Sequence, residues 1–319
     1  MKKWLLVAFT LMMVAFLAAC GSTEESTESD TATAKAEETE EMTVKHELGE
    51  TTFDKNPEKV VVFDYGVLDS MDKLGIEAVA GVPQESLPAY LEKFEDVEKY
   101  ENVGTLKEAD FEAINAMEPD LIIISGRQAD MYNEFADIAP TIHMAVDTTK
   151  YMESFKSNMN TLGEIFGKED QVTEELAAID AQIEEVKATV SESDEKALIT
   201  LANEGKVSAY GAASRFGIIH DVFGVKQADE GIEASTHGQS ISFEYILETN
   251  PDMMFVVDRN AAVGNEASAA DSLENELVQK TNAYKNDKII YLDPDFWYLS
   301  GGGLQSVSQM VKDIESAFE

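Results

Sequence analysis

The sequence predicts an α/β protein of two lobes joined by a single long helix, and three features of its 319 residues predict it. Short, partly β-branched apolar runs alternate with segments of helical spacing in two separate series, the pattern of a mainly parallel sheet covered by helices. Between the two series lies one long stretch with a single apolar stripe. A pattern that ends just past a strand in the first series then recurs in the second at a constant spacing.

The chain opens with Lys2 and Lys3, an apolar run (4–17) too short for a comfortable membrane span, and the small residues Ala18 and Ala19. Residues 1–19 therefore read as a secretion signal. The next residue, Cys20, is the single cysteine of the chain, so no internal disulfide or Cys-based zinc site is possible. The ending "LAAC-G" resembles the bacterial lipobox, which implies a diacylated Cys20 and an extracytoplasmic protein anchored to the outer face of the cell membrane. Residues 20–43, rich in Ser, Thr, Ala and Glu, hold too little apolar surface to fold and read as an acidic, disordered tether.

The first lobe is placed at 44–167. Its strands are "KVVVFDY" (59–65), "AVAGV" (78–82), "DLIIIS" (120–125) and "TIHMAV" (141–146), with helical segments such as "GVLDSMDKLG" and "EADFEAINAM" between them. In 168–192, Val172, Leu176, Ile179, Ile183, Val186 and Val190 recur at alternating steps of four and three. One stripe of one helix is apolar. At about 1.5 Å per residue that helix spans roughly 35 Å, enough to bridge two lobes. The second lobe, 193–319, carries strands in "KALITLAN", "KVSAYG", "DMMFVVD" and "KIIYLD", with helical stretches that include "FGIIHDVFG" and the terminal "GLQSVSQMVKDIESAF".

The recurring pattern is "DFEAINAMEPDLIIISGR" (110–127) over "SFEYILETNPDMMFVVDR" (242–259), matched without gaps at an offset of 132 residues. It pairs Phe111 with Phe243, Glu112 with Glu244, Pro119 with Pro251, Asp120 with Asp252 and Arg127 with Arg259. Each copy reads as a short helix, a Pro-Asp turn and a buried strand, with a Glu opening the helix and an Arg beyond the strand. The chain has only three arginines, and the third, Arg215, also follows a strand. Ligands in open α/β sheets gather beyond the carboxyl ends of strands, so these forks are placed to face one crevice between the lobes.

Charge narrows the function classes. With 62 Asp and Glu against 24 Lys and Arg, the net charge is −38, which repels nucleic acid and acidic membrane surfaces. There is no G-x-S-x-G, no H-E-x-x-H and no P-loop, since "LSGGGLQS" lacks the Lys and reads as a turn into the last helix. No enzyme is expected. The four histidines are scattered, which disfavours a site for a bare metal ion. His46, His143 and His220 are better explained by packing.

The lipobox, acidic tether, paired "FExI…PD" motifs, long helix and closing "WYLSGGG" together resemble the substrate-binding lipoproteins of iron-siderophore ABC importers that serve FecCD-type permeases. The resemblance covers essentially the whole chain, and within that family it is similar to binders of petrobactin and other catecholate siderophores. It implies the clamp-type periplasmic-binding-protein fold of class III with limited closure, a ferric siderophore as ligand, no intrinsic cofactor, and a monomer. Arg127, Arg215 and Arg259 are then ligand-binding, each offering a planar fork to catecholate oxygens that Lys cannot match. His237 and Tyr298 lie at spacings resembling those of relatives that supply iron ligands, and imidazole and phenolate suit ferric iron. Glu112 and Glu244 are implied to dock on arginines of the permease, although an acid in a helix's first turn also suits the helix dipole. Other iron complexes, haem, a bare ion, or a surface lipoprotein outside transport are the alternatives.

Overall fold

The computed structural model describes residues 40–264, 268–273 and 275–319. The secretion signal, Cys20 and the tether as far as residue 39 lie outside the described residues. The first described element is a hairpin of β1 (Glu41–His46) and β2 (Gly49–Asp54), paired antiparallel with Met42 opposite Phe53. The tether therefore stops before residue 43, because Glu41, Met42 and Thr43 belong to a strand. The alternation that builds it buries only Val44 and Phe53, too weak a signal to stand out beside the acidic run.

Five parallel strands form the first sheet: β3 (Val60–Val62), β4 (Val79–Val82), β5 (Glu101–Asn102), β6 (Leu121–Ile124) and β7 (Thr141–His143). Their spatial order is β5-β4-β3-β6-β7. The second sheet holds β8 (Lys196–Asn203), β9 (Lys206–Tyr210), β10 (Lys226–Gln227), β11 (Gln239–Ile241), β12 (Met253–Asp258) and β13 (Ile289–Leu292). Its order is β11-β9-β8-β12-β13, with β10 extending the row beside β8. Strands β8, β12 and β13 are mutually parallel, and β9 runs against β8. The continuous burial of Leu121 to Ile124 and of Met253 to Val257 is what a parallel strand covered on both faces requires.

The duplicated pattern is duplicated in space. Each copy is a seven-residue helix, Phe111–Met117 or Phe243–Thr249, capped by Asp110 or Ser242 and closed by a left-handed residue, Glu118 or Asn250. Asp120 then accepts from the Lys59 backbone N–H at 2.8 Å, and Asp252 from that of Lys196 at 3.1 Å. Each Asp thereby stitches its turn to the neighbouring parallel strand. Central strand, turn and helix form one unit, used twice.

The connecting helix runs Glu169–Ser191, and its six buried residues are the predicted stripe. The C-terminal helix Leu304–Phe318, which the sequence places with the second lobe, packs against this helix and against the first-lobe helix Tyr65–Lys73. Its start is held by a first-lobe acid. The buried Asp69 carboxylate accepts from the backbone N–H groups of Gln305 and Ser306 at 2.8 and 2.7 Å, and Ser70 Oγ accepts from that of Leu304. Burial pushes the Asp69 carboxyl up to about 6, although these donors favour its anion. Gly303 permits the approach, since a Cβ there would stand 2.4 Å from the Gly66 carbonyl oxygen. One apolar cluster consequently runs from Val60 and Tyr65 through Ile179 to Phe255 and Val311. Among the described residues no helix is long and apolar enough to cross a membrane.

Candidate functional site

The segment after β13 is the pivot of the site. Asp295–Leu299 winds as a π-helical turn that buries Trp297 and Leu299 and leaves Tyr298 half-buried. The turn is tied to both sides. Asp295 Oδ2 accepts from the Ala89 N–H at 2.8 Å, the Tyr90 ring stacks on Phe296 at 4.4 Å, and Trp297 Nε1 donates to Asp313 in the C-terminal helix at 2.8 Å. Trp297 is thus anchored on the helix side of the turn while its neighbour faces the cleft.

All three arginines converge on Tyr298. Arg127 Nη2 and Arg215 Nη2 donate to its carbonyl oxygen at 3.1 and 2.7 Å. Arg259 Nε donates to its hydroxyl at 3.1 Å, and Arg259 Nη1 donates to Asn203 Oδ1 at the end of β8 at 2.9 Å. The Arg215 guanidinium also lies 4.1 Å from the Tyr298 ring centroid, a cation–π contact. Among the described residues, none of the three is ion-paired with a carboxylate. In a chain with 62 acids, the three arginines share one tyrosine instead of forming ordinary surface ion pairs among the described residues.

Local structure explains each placement. Arg127 sits on the turn after β6, where buried Gln128 accepts from the Ser125 N–H and donates to the Leu106 carbonyl. Arg259 opens the short helix Arg259–Ala262, capped by Asp258 at the end of β12. Arg215 is different. Its strand β9 is antiparallel to β8, so the strand-end rule does not place it; the turn Gly211–Gly217 does, held by Asp221 Oδ2 accepting from the Ala213 N–H and by Ser214 Oγ donating to the Gly211 carbonyl.

Electrostatics follow from the crowding. Burial, with Arg127 alongside, lowers the pKa of the Arg215 guanidinium, which stays charged. Burial alone would raise the Tyr298 phenol, but Arg215 and Arg259 bring it below the ordinary tyrosine value. The site is a basic cleft of about 230 Å³, open to solvent, whose walls include Arg127, Arg259 and Tyr298. It can take an anion and offers a phenol whose ionised form the neighbouring arginines favour.

Sequence reasoning missed part of the wall. Glu85, Ser86, Thr105, Leu106 and Lys107 also line the cleft, from the loops after β4 and β5. Both loops leave the carboxyl ends of parallel strands, and that position was the signal available for them. His237 is exposed and is not part of the lining; its carbonyl accepts from Tyr210 Oη at 3.0 Å. Tyr210 feels the charge of Arg215 and of Tyr298, so His237 borders the arginine cluster through one residue. His46, His143 and His220 are not in the lining either, and His220 Nδ1 lies 2.7 Å from the Val225 carbonyl oxygen. Glu112 and Glu244 are exposed in the first turns of the two equivalent helices, outside the cleft wall. Among the described residues no three His, Cys, Asp or Glu gather to hold a metal ion.

A model of the periplasmic binding protein family matches residues 60–296. The chain belongs to that family. Over all of its length, and all of the relative's, it is 52% identical to the petrobactin-binding protein YclQ of Bacillus subtilis. The crystal structure of YclQ superposes with a TM-score of 0.86 at 55% identity, covering 88% of this chain and 99% of that one. The ferric-anguibactin-binding protein FatB of Vibrio anguillarum is 34% identical over 87% of this chain and 88% of its own. The periplasmic catecholate-siderophore binding protein VctP of Vibrio cholerae is 37% identical, with a TM-score of 0.80 over 87% of this chain and 100% of that one. The family consists of substrate-binding proteins rather than enzymes, and one relative, YhfQ of Bacillus subtilis, is described as a putative ABC transporter substrate-binding lipoprotein.

Proposed function

We propose that this chain captures a ferric catecholate siderophore of the petrobactin type in the cleft around Tyr298 and delivers it to an ABC permease of the FecCD type. The observation that carries the reading is the meeting of all three arginines on one tyrosine, none of them ion-paired with a carboxylate among the described residues. A ferric catecholate complex carries about three negative charges, and the chain's overall charge of −38 repels it unless the cleft reverses the local sign. Three guanidiniums gathered on one tyrosine do that. In the free protein they are held by neutral acceptors, a carbonyl, a phenol and an amide, which an anionic ligand exchanges for stronger charge-assisted contacts. The petrobactin-binding relative, matched along its whole length, supports the ligand class.

The remaining roles belong to the same reading. Tyr298, its phenol pKa already depressed, supplies an oxygen to iron when the siderophore leaves coordination positions open, and His237 supplies a nitrogen once its loop turns inward. Glu112 and Glu244, equivalent acids on the two repeated units, dock on the permease. Diacylated Cys20 holds a monomer at the outer face of the membrane. The bare-ion alternative lacks the ligand cluster it needs among the described residues.

A ligand screen by native mass spectrometry tests the reading. Ferric catecholates are expected to bind in one-to-one complexes, while ferric hydroxamates and haem are not. A hydroxamate complex alone would overturn the catecholate assignment.

A further inference from the structure

The cleft is not uniformly basic. Glu85 lines it together with Arg127, Arg259 and Lys107. A carboxylate beside a binding site for a multiply charged anion costs affinity unless it meets a positive charge of its own. The turn that presents it is built rather than slack. Chain leaving β4 is gripped by the buried Tyr65, whose hydroxyl lies 2.9 Å from the Pro83 carbonyl oxygen and 3.1 Å from that of Glu85. Ser86 then takes a left-handed conformation, φ 60°, which non-glycine residues adopt only when their surroundings impose it.

Glu85 is exposed, as most of the chain's acids are, and two further facts tie it to the site. It stands close enough to the site that Tyr65, whose pKa burial raises, is pulled in opposite directions by Arg127 and by Glu85. Yet among the described residues its carboxylate is in no ion pair, and the Lys107 ammonium on the same wall is in none either. A rim that keeps opposite charges apart and unneutralised complements a ligand that itself carries both signs.

The geometry points to Glu85 as a specificity residue that receives a protonated amine on an arm of the siderophore, so that the cleft selects ferric catecholates with a cationic arm over those that are anionic throughout. This rests on the siderophore reading above. The arginines hold the iron-catecholate core, and Glu85 reads what is attached to it.

Two ligands that differ in one charge test it. The first is the ferric complex of a bis-catecholate whose linker contains a secondary amine; the second is the same complex with that amine acetylated. Calorimetric titration of the full chain is expected to favour the amine ligand by about two- to fivefold, the range for a solvent-exposed ion pair. Glu85→Gln is expected to weaken the amine ligand and strengthen the acetylated one, and Glu85→Lys to widen that reversal. Opposite signs are the signature, because a merely structural loss weakens both. A change of the same sign for both ligands, or no change for either, overturns the inference while leaving the siderophore reading intact. Failure of wild type to bind either ligand overturns both.

Discussion

The guanidinium of Arg215 lies over the ring of Tyr298, its carbon 4.1 Å from the ring centroid, while its Nη2 donates to the carbonyl of the same residue at 2.7 Å. One cation is thus held by a face and an edge of one residue, and among the described residues it is in no ion pair with a carboxylate. The arrangement keeps a half-buried charge ready for a ligand and lowers the pKa of the phenol beneath it.

Removing that charge should release the phenol. In Arg215→Ala the Tyr298 pKa is expected to rise toward or above the ordinary tyrosine value, since burial then acts with less opposition. Titration of the phenolate absorbance, with Tyr298→Phe as the blank, measures it. An unchanged titration would show that Arg215 does not control the phenol.

Direct ligation of iron is expected to depend on the siderophore. A hexadentate ligand fills the octahedral shell, so Tyr298→Phe and His237→Ala should hardly change its affinity. A tetradentate catecholate leaves two positions open, and there the double variant should lose both affinity and the shift of the charge-transfer band. An equal response to both ligands would make these residues ordinary walls.

Capture and delivery should separate. Glu112→Ala and Glu244→Ala are expected to retain siderophore affinity and to impair uptake of radiolabelled ferric siderophore by cells, because both acids are exposed outside the cleft wall. Loss of ligand binding in a folded variant would cancel the docking role of that acid. Cys20→Ala should likewise keep binding and lose incorporation of labelled fatty acid.

Much of this site was legible because strong constraints leave strong patterns. A parallel strand buried on both faces demands an apolar run, so "DLIIIS" and "DMMFVVD" announced β6 and β12, and the stitching role of Asp120 and Asp252 explains why the motif repeats with its Asp in register. The apolar stripe of the connecting helix follows from packing on one side only. What stayed hidden was set by distant partners. Nothing local to Asp69 says that it caps a helix beginning 235 residues later, nor does "SGGG" reveal that Gly303 exists to let Gly66 approach. Arg215 was found for an incomplete reason, since its turn and not the strand direction aims it. Lys107 and Glu85 lie in loops whose course only the fold decides.

Asp69 makes stability depend on pH in a definite sense. Its folded pKa, about 6, exceeds the ordinary 3.8, so its contribution is fully present below about 3.8 and is lost as pH rises through about 6. The loss is on the order of 3 kcal/mol. Melting curves of wild type and Asp69→Asn across this window should show their difference shifting against wild type as pH rises. A constant difference would mean that folding leaves the Asp69 pKa unshifted.

The claim that three arginines make an acidic protein into an anion binder is tested most directly by fluorescence titration of a ferric catecholate into wild type and into Arg127→Ala, Arg215→Ala and Arg259→Ala, with the matching Lys variants alongside. Trp297, adjacent to Tyr298, provides the signal. Each Ala variant is expected to lose about 1.5–3 kcal/mol of binding free energy, and each Lys variant to recover part of it, since the charge returns without the fork. Undiminished affinity in all three Ala variants, with the fold intact by circular dichroism, would contradict the account.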